Sequence, residues 1–233
     1  MKKKQQYMKL PQKINELKAF QKPHDSIFTS LITRHISRVF SFYFIRLWPN
    51  VTPNKVSALS LITAIFGTLM VFLSIYSYWY VLIGVLLLQI AFAFDCSDGE
   101  IARYKNMGSK FGAWLDSVSD RFKEIFMFAA ITYTWYHRHS HIYVLVIGAL
   151  TIVSWLLIAY LREAKKSSWP IERKAEIYLT KNIYIGTVDV IIFAVCFAAL
   201  FKLELPILIL FLFFSLPLLA KQIFSAWKLS QES

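Results

Sequence analysis

From Asp95 to Asp120 the chain reads D-C-S-D-G-E-I-A-R-Y-K-N-M-G-S-K-F-G-A-W-L-D-S-V-S-D, which sets four aspartates where two strongly apolar stretches meet. A carboxylate at the edge of the hydrocarbon costs several kcal/mol unless it is paired, wetted or bound to a cation, so acids in such a place mark function by default. Asp95 and Asp98 are three residues apart, and Asp116 and Asp120 are four apart. Both spacings put a pair on one helical face. If the two helices pack as antiparallel neighbours, the pairs face each other across a cavity, and four facing carboxylates cannot all stay ionised without cations between them. Oxygen ligands select a hard ion, Mg2+, Mn2+ or Ca2+, over zinc. Gly99 and Ala102 clear one side of the helix beside the acids, and Gly112 lies one turn before Asp116. A flat group can lie against bare backbone there.

The rest of the chain says where this cluster sits. Of 233 residues 57% are hydrophobic and 17% aromatic, and the mean hydropathy is +0.48, too apolar for a soluble domain. Six runs, about 57–76, 80–95, 112–137, 141–161, 183–203 and 205–226, are long enough at ~1.5 Å per residue to cross a core of ~30 Å. The expected fold is therefore an all-α integral membrane protein. One membrane domain over 25–228 follows a basic tail at 1–24, with no internal repeat or linker to divide it.

Eleven Lys or Arg against Glu16 and Asp25 mark the first 55 residues, and no uncharged signal-peptide core follows. The stretches after spans two and four are also basic, while the other connections are short and nearly uncharged. This alternation predicts both termini, and the aspartates, on the cytoplasmic side of the cell membrane. Residues 25–48 carry Ile27, Leu31, Ile32, Ile36, Val39, Phe40, Tyr43, Phe44 and Leu47 at helical spacing, interrupted by Arg34, His35, Arg38 and Arg46. That pattern predicts an amphipathic helix in the cytoplasmic interface. The net charge of +12 lies beside membrane segments, so anionic lipid headgroups and not nucleic acid are the expected partners. Trp48, Trp79, Trp135 and Trp169 fall near span ends as interfacial anchors, and Cys96 and Cys196 read as packing residues.

The plain alternative for the acids is an ion network with Arg103, Lys105, Arg121 and Lys123 at a wetted helix end. It must then produce Asp95, Asp98, Gly99, Ala102, Arg103, Gly112, Asp116 and Asp120 together, eight specified residues in 26 positions. By chance that match is on the order of 10^-10 per start position. The pattern D95-x2-D98-G99-x2-A102-R103-x8-G112-x3-D116-x3-D120 matches without departure the signature of the CDP-alcohol phosphotransferase family, membrane enzymes of phospholipid synthesis. The resemblance extends to six spans, an N-terminal interfacial helix and the T52-P53-N54 turn before the first span. K22-P23-x-D25-S26 and I171-E172-R173 resemble, over short stretches, the branch that handles inositol phosphates.

The resemblance implies that a CDP-linked alcohol is cleaved at its pyrophosphate, CMP leaves, and the phosphoryl-alcohol passes to an acceptor hydroxyl. It implies two divalent ions, Mg2+ or Mn2+, on Asp95, Asp98 and Asp116, with Asp120 completing the second ion's ligands and acting as general base. Gly99, Ala102 and Gly112 are carried over as nucleotide-binding. Arg103 serves either phosphate or the acids, and Thr52 and Asn54 either reach the nucleotide or cap the first span. For the acceptor, Arg121 and Arg173 are the favoured contacts among Arg121, Lys123, Arg162, Lys165, Lys166 and Arg173. A homodimer is a further expectation from the family. The donor stays open between CDP-diacylglycerol with a polar acceptor such as inositol phosphate or glycerol phosphate, and a soluble CDP-inositol or CDP-ethanolamine with a lipid or polyol acceptor. The small size favours the prokaryotic CDP-diacylglycerol type.

An ion-coupled transporter would distribute its acids along a path or show inverted repeats; here they gather at one end. A lipid-binding scaffold leaves the aspartates unexplained, and D95-C-S-D-G lacks the alternating ligands of an EF-hand. His137, His139 and His141 invite a metal reading, but alternate residues in a short loop rarely converge. Asp189 stands as a lone acid inside the fifth run, its partner undetermined.

Overall fold

The computed structural model describes residues 10–22, 25–26, 29–169, 177–178 and 183–232. After a 3-10 helix (Ile14–Phe20) come a two-residue strand β1 (Asp25–Ser26) and a π-helical turn (Thr29–Thr33) that runs directly into α1 (Arg34–Leu47). Then follow α2 (Pro53–Leu73), α3 (Tyr78–Tyr104), α4 (Lys110–His139), α5 (Tyr143–Ser168), β2 (Ile177–Tyr178), β3 (Ile183–Ile185), α6 (Thr187–Phe201) and α7 (Glu204–Glu232).

Local chemistry sets the boundaries that matter for function. Pro53 starts α2, where its missing N–H would have no partner anyway. The α3–α4 connection ends the first helix with Asn106 at φ 52°, a left-handed conformation that Asn tolerates. It opens the next by Ser109, whose hydroxyl accepts the Gly112 N–H at 2.9 Å. Lys105, outside the apolar spans, donates to the carbonyls of Pro49 at 2.7 Å and Val51 at 2.8 Å. Its partial burial lowers its pKa from the ordinary lysine value.

Packing begins with α2, which lies against both α3 and α4. Its buried residues Ser57, Ser60, Ala64, Gly67 and Val71 alternate at spacings of three and four, the period of a helix-pairing seam. On α3 the matching positions are Gly84, Leu88, Ala91, Asp95 and Asp98. A Cβ on Gly84 would lie 2.8 Å from the Gly67 carbonyl oxygen and 2.9 Å from the Val71 nitrogen, so the two backbones touch, the way small residues bring membrane helices together. Ser60 donates to the Ala91 carbonyl at 2.8 Å further along the same seam. On α4, Phe72 of α2 stacks against Tyr133 at 3.8 Å. Beyond this triplet, α5 packs on α4 and α7, and α6 packs on α3, α4 and α7.

Among the described residues four helices, α2, α3, α5 and α7, are long and apolar enough to cross a membrane. In α4, 30 residues long, the first half carries Asp116, Asp120, Arg121, Lys123 and Glu124, and the apolar part of α6, Val188–Phe201, is shorter than the four.

Three expectations change. The helix of the second run does not stop near residue 95 but continues to Tyr104, so Asp95 and Asp98 lie in its final turns. The expected interfacial helix over 25–48 begins as strand β1 and is helical only from Thr29. Arg34, Ser37 and Ser41, which an interfacial helix would turn to water, are buried. Finally, the sequence reading contains no strands, whereas β1 pairs parallel to β3 and β3 antiparallel to β2. These pairs tie the N-terminal segment to the entrance of α6.

Candidate active site

A cavity of about 470 Å³ opens among α2, α3 and α4. The end of α3 supplies Asp95, Cys96, Asp98, Gly99, Ala102 and Arg103; the following turn and α4 supply Met107, Gly108, Ser109, Gly112, Ala113, Asp116 and Asp120. Pro53, Asn54 and Ser57 line it from α2, Lys22, Thr29 and Arg34 from the N-terminal segment, Arg162 from α5, and Gly186, Val188 and Asp189 from the start of α6.

The aspartates share one cavity, but α3 and α4 do not pack on each other as closely as the antiparallel-neighbour expectation required. Their direct contact is slight, and α2 and α6 each pack on both. Spacing of three or four places each pair on one face, and the gap between the helices is the cavity itself. Asp95, Asp98 and Asp116 each bring a carboxylate oxygen within 4.8 Å of the others. Three converging carboxylates form a donor set suited to a hard divalent ion. Asp120 lines the cavity outside that trio, and the buried Lys123 ammonium bonds Asp95 Oδ1 and approaches Asp120 Oδ1 at 3.5 Å. Ser57 donates its hydroxyl to Asp98 Oδ2, fixing that carboxylate from behind.

Of the expected nucleotide positions, Gly99, Ala102, Arg103, Gly112 and Asn54 line the cavity. A Cβ on Gly112 would lie 3.1 Å from Asn54 Oδ1 and 3.1 Å from Ser109 Oγ, so this glycine keeps a narrow place open. Arg103 lies across Gly99, whose Cβ would meet its guanidinium at 3.3 Å, and its Nε donates to the Phe20 carbonyl. That bond braces the N-terminal segment, a role beyond the two expected for it. Thr52 is not on the wall; it precedes α2 with no side-chain cap bond, its carbonyl accepting the Lys55 and Val56 N–H groups.

Arg121 also departs from expectation. One residue beyond Asp120 is about 100° further round the helix, and there Arg121 pairs with Glu124 at 2.7 Å away from the cavity wall. Arg162 takes the position on the wall, whereas Lys165 bonds Gln222 and Ser225 of α7. Arg173 lies outside the described residues. Asp189 sits in the first turn of α6, at the start of the fifth run and not deep inside it, where an acid suits the helix dipole. It accepts from Thr29 Oγ1 at 2.6 Å. The histidines at the far end of α4 stack around aromatics, His139 on Trp135 at 4.2 Å and His141 on Tyr143 at 5.4 Å. Among the described residues they form no metal-ligating group.

Two contributions escaped the sequence reading. Ser57 hides in the small-residue seam of α2, where its period of three and four was the available signal. Glu100 sits inside the motif, fully buried. Its Oε1 accepts from Ser37 at 2.7 Å, Gln21 at 3.0 Å and Arg34 at 3.2 Å, and its Oε2 from Ser41 at 2.6 Å. This bonding locks α1 and the N-terminal segment, with their cavity residues Lys22, Thr29 and Arg34, onto the aspartate helix.

The profile of the family described as CDP-alcohol phosphatidyltransferase matches residues 50–220. The chain belongs to this family. Its curated relatives include a bifunctional IPC transferase and DIPP synthase of Aquifex aeolicus, 33% identical over 46% of this chain and 23% of that protein. A phosphatidylinositol phosphate synthase of Corynebacterium glutamicum is 29% identical over 51% of this chain and 52% of its own. The chain thus matches between about a quarter and about half the length of these relatives. The fold of the CDP-alcohol phosphatidyltransferase chain is that of a Mycobacterium tuberculosis phosphatidylinositol phosphate synthase solved with CDP-DAG bound, at TM-score 0.61, 20% identity, and coverage of 84% of this chain and 94% of that one. The same synthase in complex with manganese and citrate gives TM-score 0.61 at 20% identity, over 84% of this chain and 89% of that one. With its apolar helices, the family places this CDP-alcohol phosphatidyltransferase chain among integral membrane proteins.

Proposed function

We propose that this chain transfers the phosphoryl-alcohol of a CDP-linked donor, CDP-diacylglycerol in the first place, to the hydroxyl of a polar acceptor such as inositol phosphate or glycerol phosphate, releasing CMP. The observation that carries the reading is the convergence of Asp95, Asp98 and Asp116 within 4.8 Å on a wall that also bears Gly99, Ala102, Gly112 and Asn54. These three aspartates would hold Mg2+ or Mn2+, which when bound neutralises the pyrophosphate and the departing CMP oxygen. The bare backbone at Gly112 admits the planar base, with Asn54 Oδ1 beside it as a polar contact and Gly99 and Ala102 on the same wall. Asp120 accepts the proton of the acceptor hydroxyl. Arg162, Lys22, Arg34 and Asp189 lie on the same cavity wall, where cations meet an acceptor phosphate and an acid meets its hydroxyls. Positioning and electrostatics then supply most of the rate.

In this reading α2 to α7 are the six spans and α1 lies at the cytoplasmic interface. Both termini and the cavity face the cytoplasm of a cell membrane, and the enzyme works as a homodimer, as the family resemblance implies. The test is CMP release by purified protein with Mg2+ from CDP-diacylglycerol, CDP-inositol, CDP-ethanolamine and CDP-choline, each with and without acceptors. Release from CDP-diacylglycerol is expected. Release only from a soluble donor would reverse the direction of transfer, and no CMP from any donor would sink the enzyme reading.

A further inference from the structure

The family profile covers residues 50–220, yet Lys22, Thr29 and Arg34 line the cavity from the N-terminal segment, ahead of that region. Each is held in place. Gln21, next to Lys22, donates to Glu100 Oε1 at 3.0 Å and to the Arg34 carbonyl at 2.9 Å, while Arg103 donates to the Phe20 carbonyl. Beyond Lys22, Asp25 and Ser26 pair with β3, so the chain is anchored on both sides of this lysine. Arg34 is 5% exposed, and its Nη1 rests on Glu100 at 3.2 Å. Ser26 Oγ donates to Thr29 Oγ1 at 2.9 Å, and Thr29 Oγ1 donates to Asp189 Oδ2 at 2.6 Å. That relay orients the Asp189 carboxylate on the same wall.

Two fixed cations and one oriented carboxylate suit a ligand that carries both an acidic group and hydroxyls. The residues that serve the CDP group in the reading above, among them Asp95, Asp98, Gly112 and Asp116, all fall inside 50–220. We propose that the N-terminal segment selects the acceptor, with Lys22 and Arg34 binding its phosphate and Asp189, oriented through Thr29, binding its hydroxyls. The acceptor class is then a phosphorylated polyol. Phosphate-free polyols leave the cations without a partner and are rejected on that ground. The inference rests on the transfer reading above and deepens it by assigning the choice of acceptor to residues outside the shared region.

The test is CMP release from CDP-diacylglycerol by purified protein with Mg2+, comparing glycerol phosphate with glycerol and inositol phosphate with inositol. Calorimetric titration of the same four compounds into protein loaded with Mg2+ and CMP reads binding apart from turnover, and melting curves report folding. Wild type is expected to prefer the phosphorylated member of at least one pair. Lys22→Met should raise the KM for that acceptor by about 10-fold or more, the worth of a hydrogen bond to a charged group, with kcat and CDP-donor binding close to wild type. Lys22→Arg should restore most of the loss. Asp189→Asn should weaken binding of the polyol phosphate more than that of inorganic phosphate, and an equal loss for both would remove Asp189 from the hydroxyl role. Equal use of both members of each pair, or a preference that Lys22→Met leaves unchanged, would overturn the inference while leaving the transfer reading intact. If wild type releases no CMP from any donor, the transfer reading fails and the calorimetry alone decides. Phosphate-selective binding that Lys22→Met abolishes would uphold the inference, and absence of such binding in the wild type would overturn it.

Discussion

Ser57 shows how much a side chain that touches no substrate can matter here. Its hydroxyl holds one oxygen of Asp98, and losing such a supporting bond lowers metal affinity by about 10-fold or more. Ser57→Ala should therefore weaken Mn2+ binding by about that factor in a calorimetric titration. Asp116→Asn removes one of three converging ligands and should reduce CMP release by at least about 100-fold together with Mn2+ affinity. Asp120→Asn is a different loss. As the proposed base it should reduce turnover by about 10²- to 10⁴-fold while equilibrium binding of the CDP donor stays close to wild type. Full turnover in that variant would remove Asp120 from the role of base. At Gly112 an added methyl would sit 3.1 Å from Asn54 Oδ1, so Gly112→Ala should raise the donor KM more than it lowers kcat.

Among elements, the α2–α3 pair governs the site, because its seam passes from Gly84 through Leu88 and Ala91 into Asp95 and Asp98 without a break in period. Gly84→Ala must push the Gly67 carbonyl or Val71 from 2.8 Å. A destabilisation of about 1 to 3 kcal/mol is expected from such overpacking, visible as a lower melting temperature in detergent. Gly108→Ala, with nothing within 4 Å of its Cβ, is the matched control and should melt like wild type. This scale also shows what the sequence could reveal. Long runs of Leu, Ile, Val and Phe disclosed the apolar helices, and the spacing of the aspartates disclosed a common face for each pair, because both are local patterns. The small strands β1 to β3 stayed invisible, since pairing Asp25 with Ile183 is decided by segments far apart in the chain. Ser37, Ser41 and Arg34 looked like the wet side of an interfacial helix for the same reason. Their acceptor, Glu100, lies 59 to 66 residues away. Arg121 was misplaced by a smaller error, one step of helical rotation.

For the whole molecule, the six-span reading fixes which side each loop faces. With Cys96 and Cys196 replaced by Ala, Met107→Cys should react with a membrane-impermeant maleimide only in inside-out vesicles. Tyr76→Cys, at a position 76% exposed between α2 and α3, should react only in right-side-out ones. Labelling of both from the same side would refute the topology. Loss of CMP release on EDTA treatment and its return with Mg2+ or Mn2+ checks metal dependence in the intact enzyme.

The four donors that meet on Glu100 make the molecule unequally tolerant of error. Deleting Ser37 or Gln21 leaves Oε1 with two other donors and costs about 1 kcal/mol, whereas deleting Ser41 takes away the donor to Oε2 and costs about 1 to 3 kcal/mol or more. Deleting Glu100 removes the shared acceptor of all four at once from a fully buried place. A library of random substitutions should therefore be permissive at 37, less so at 41, and should yield almost no active variants at 100. A change in the motif helix would then be felt first as a loosening of the N-terminal wall on the other side of the cavity.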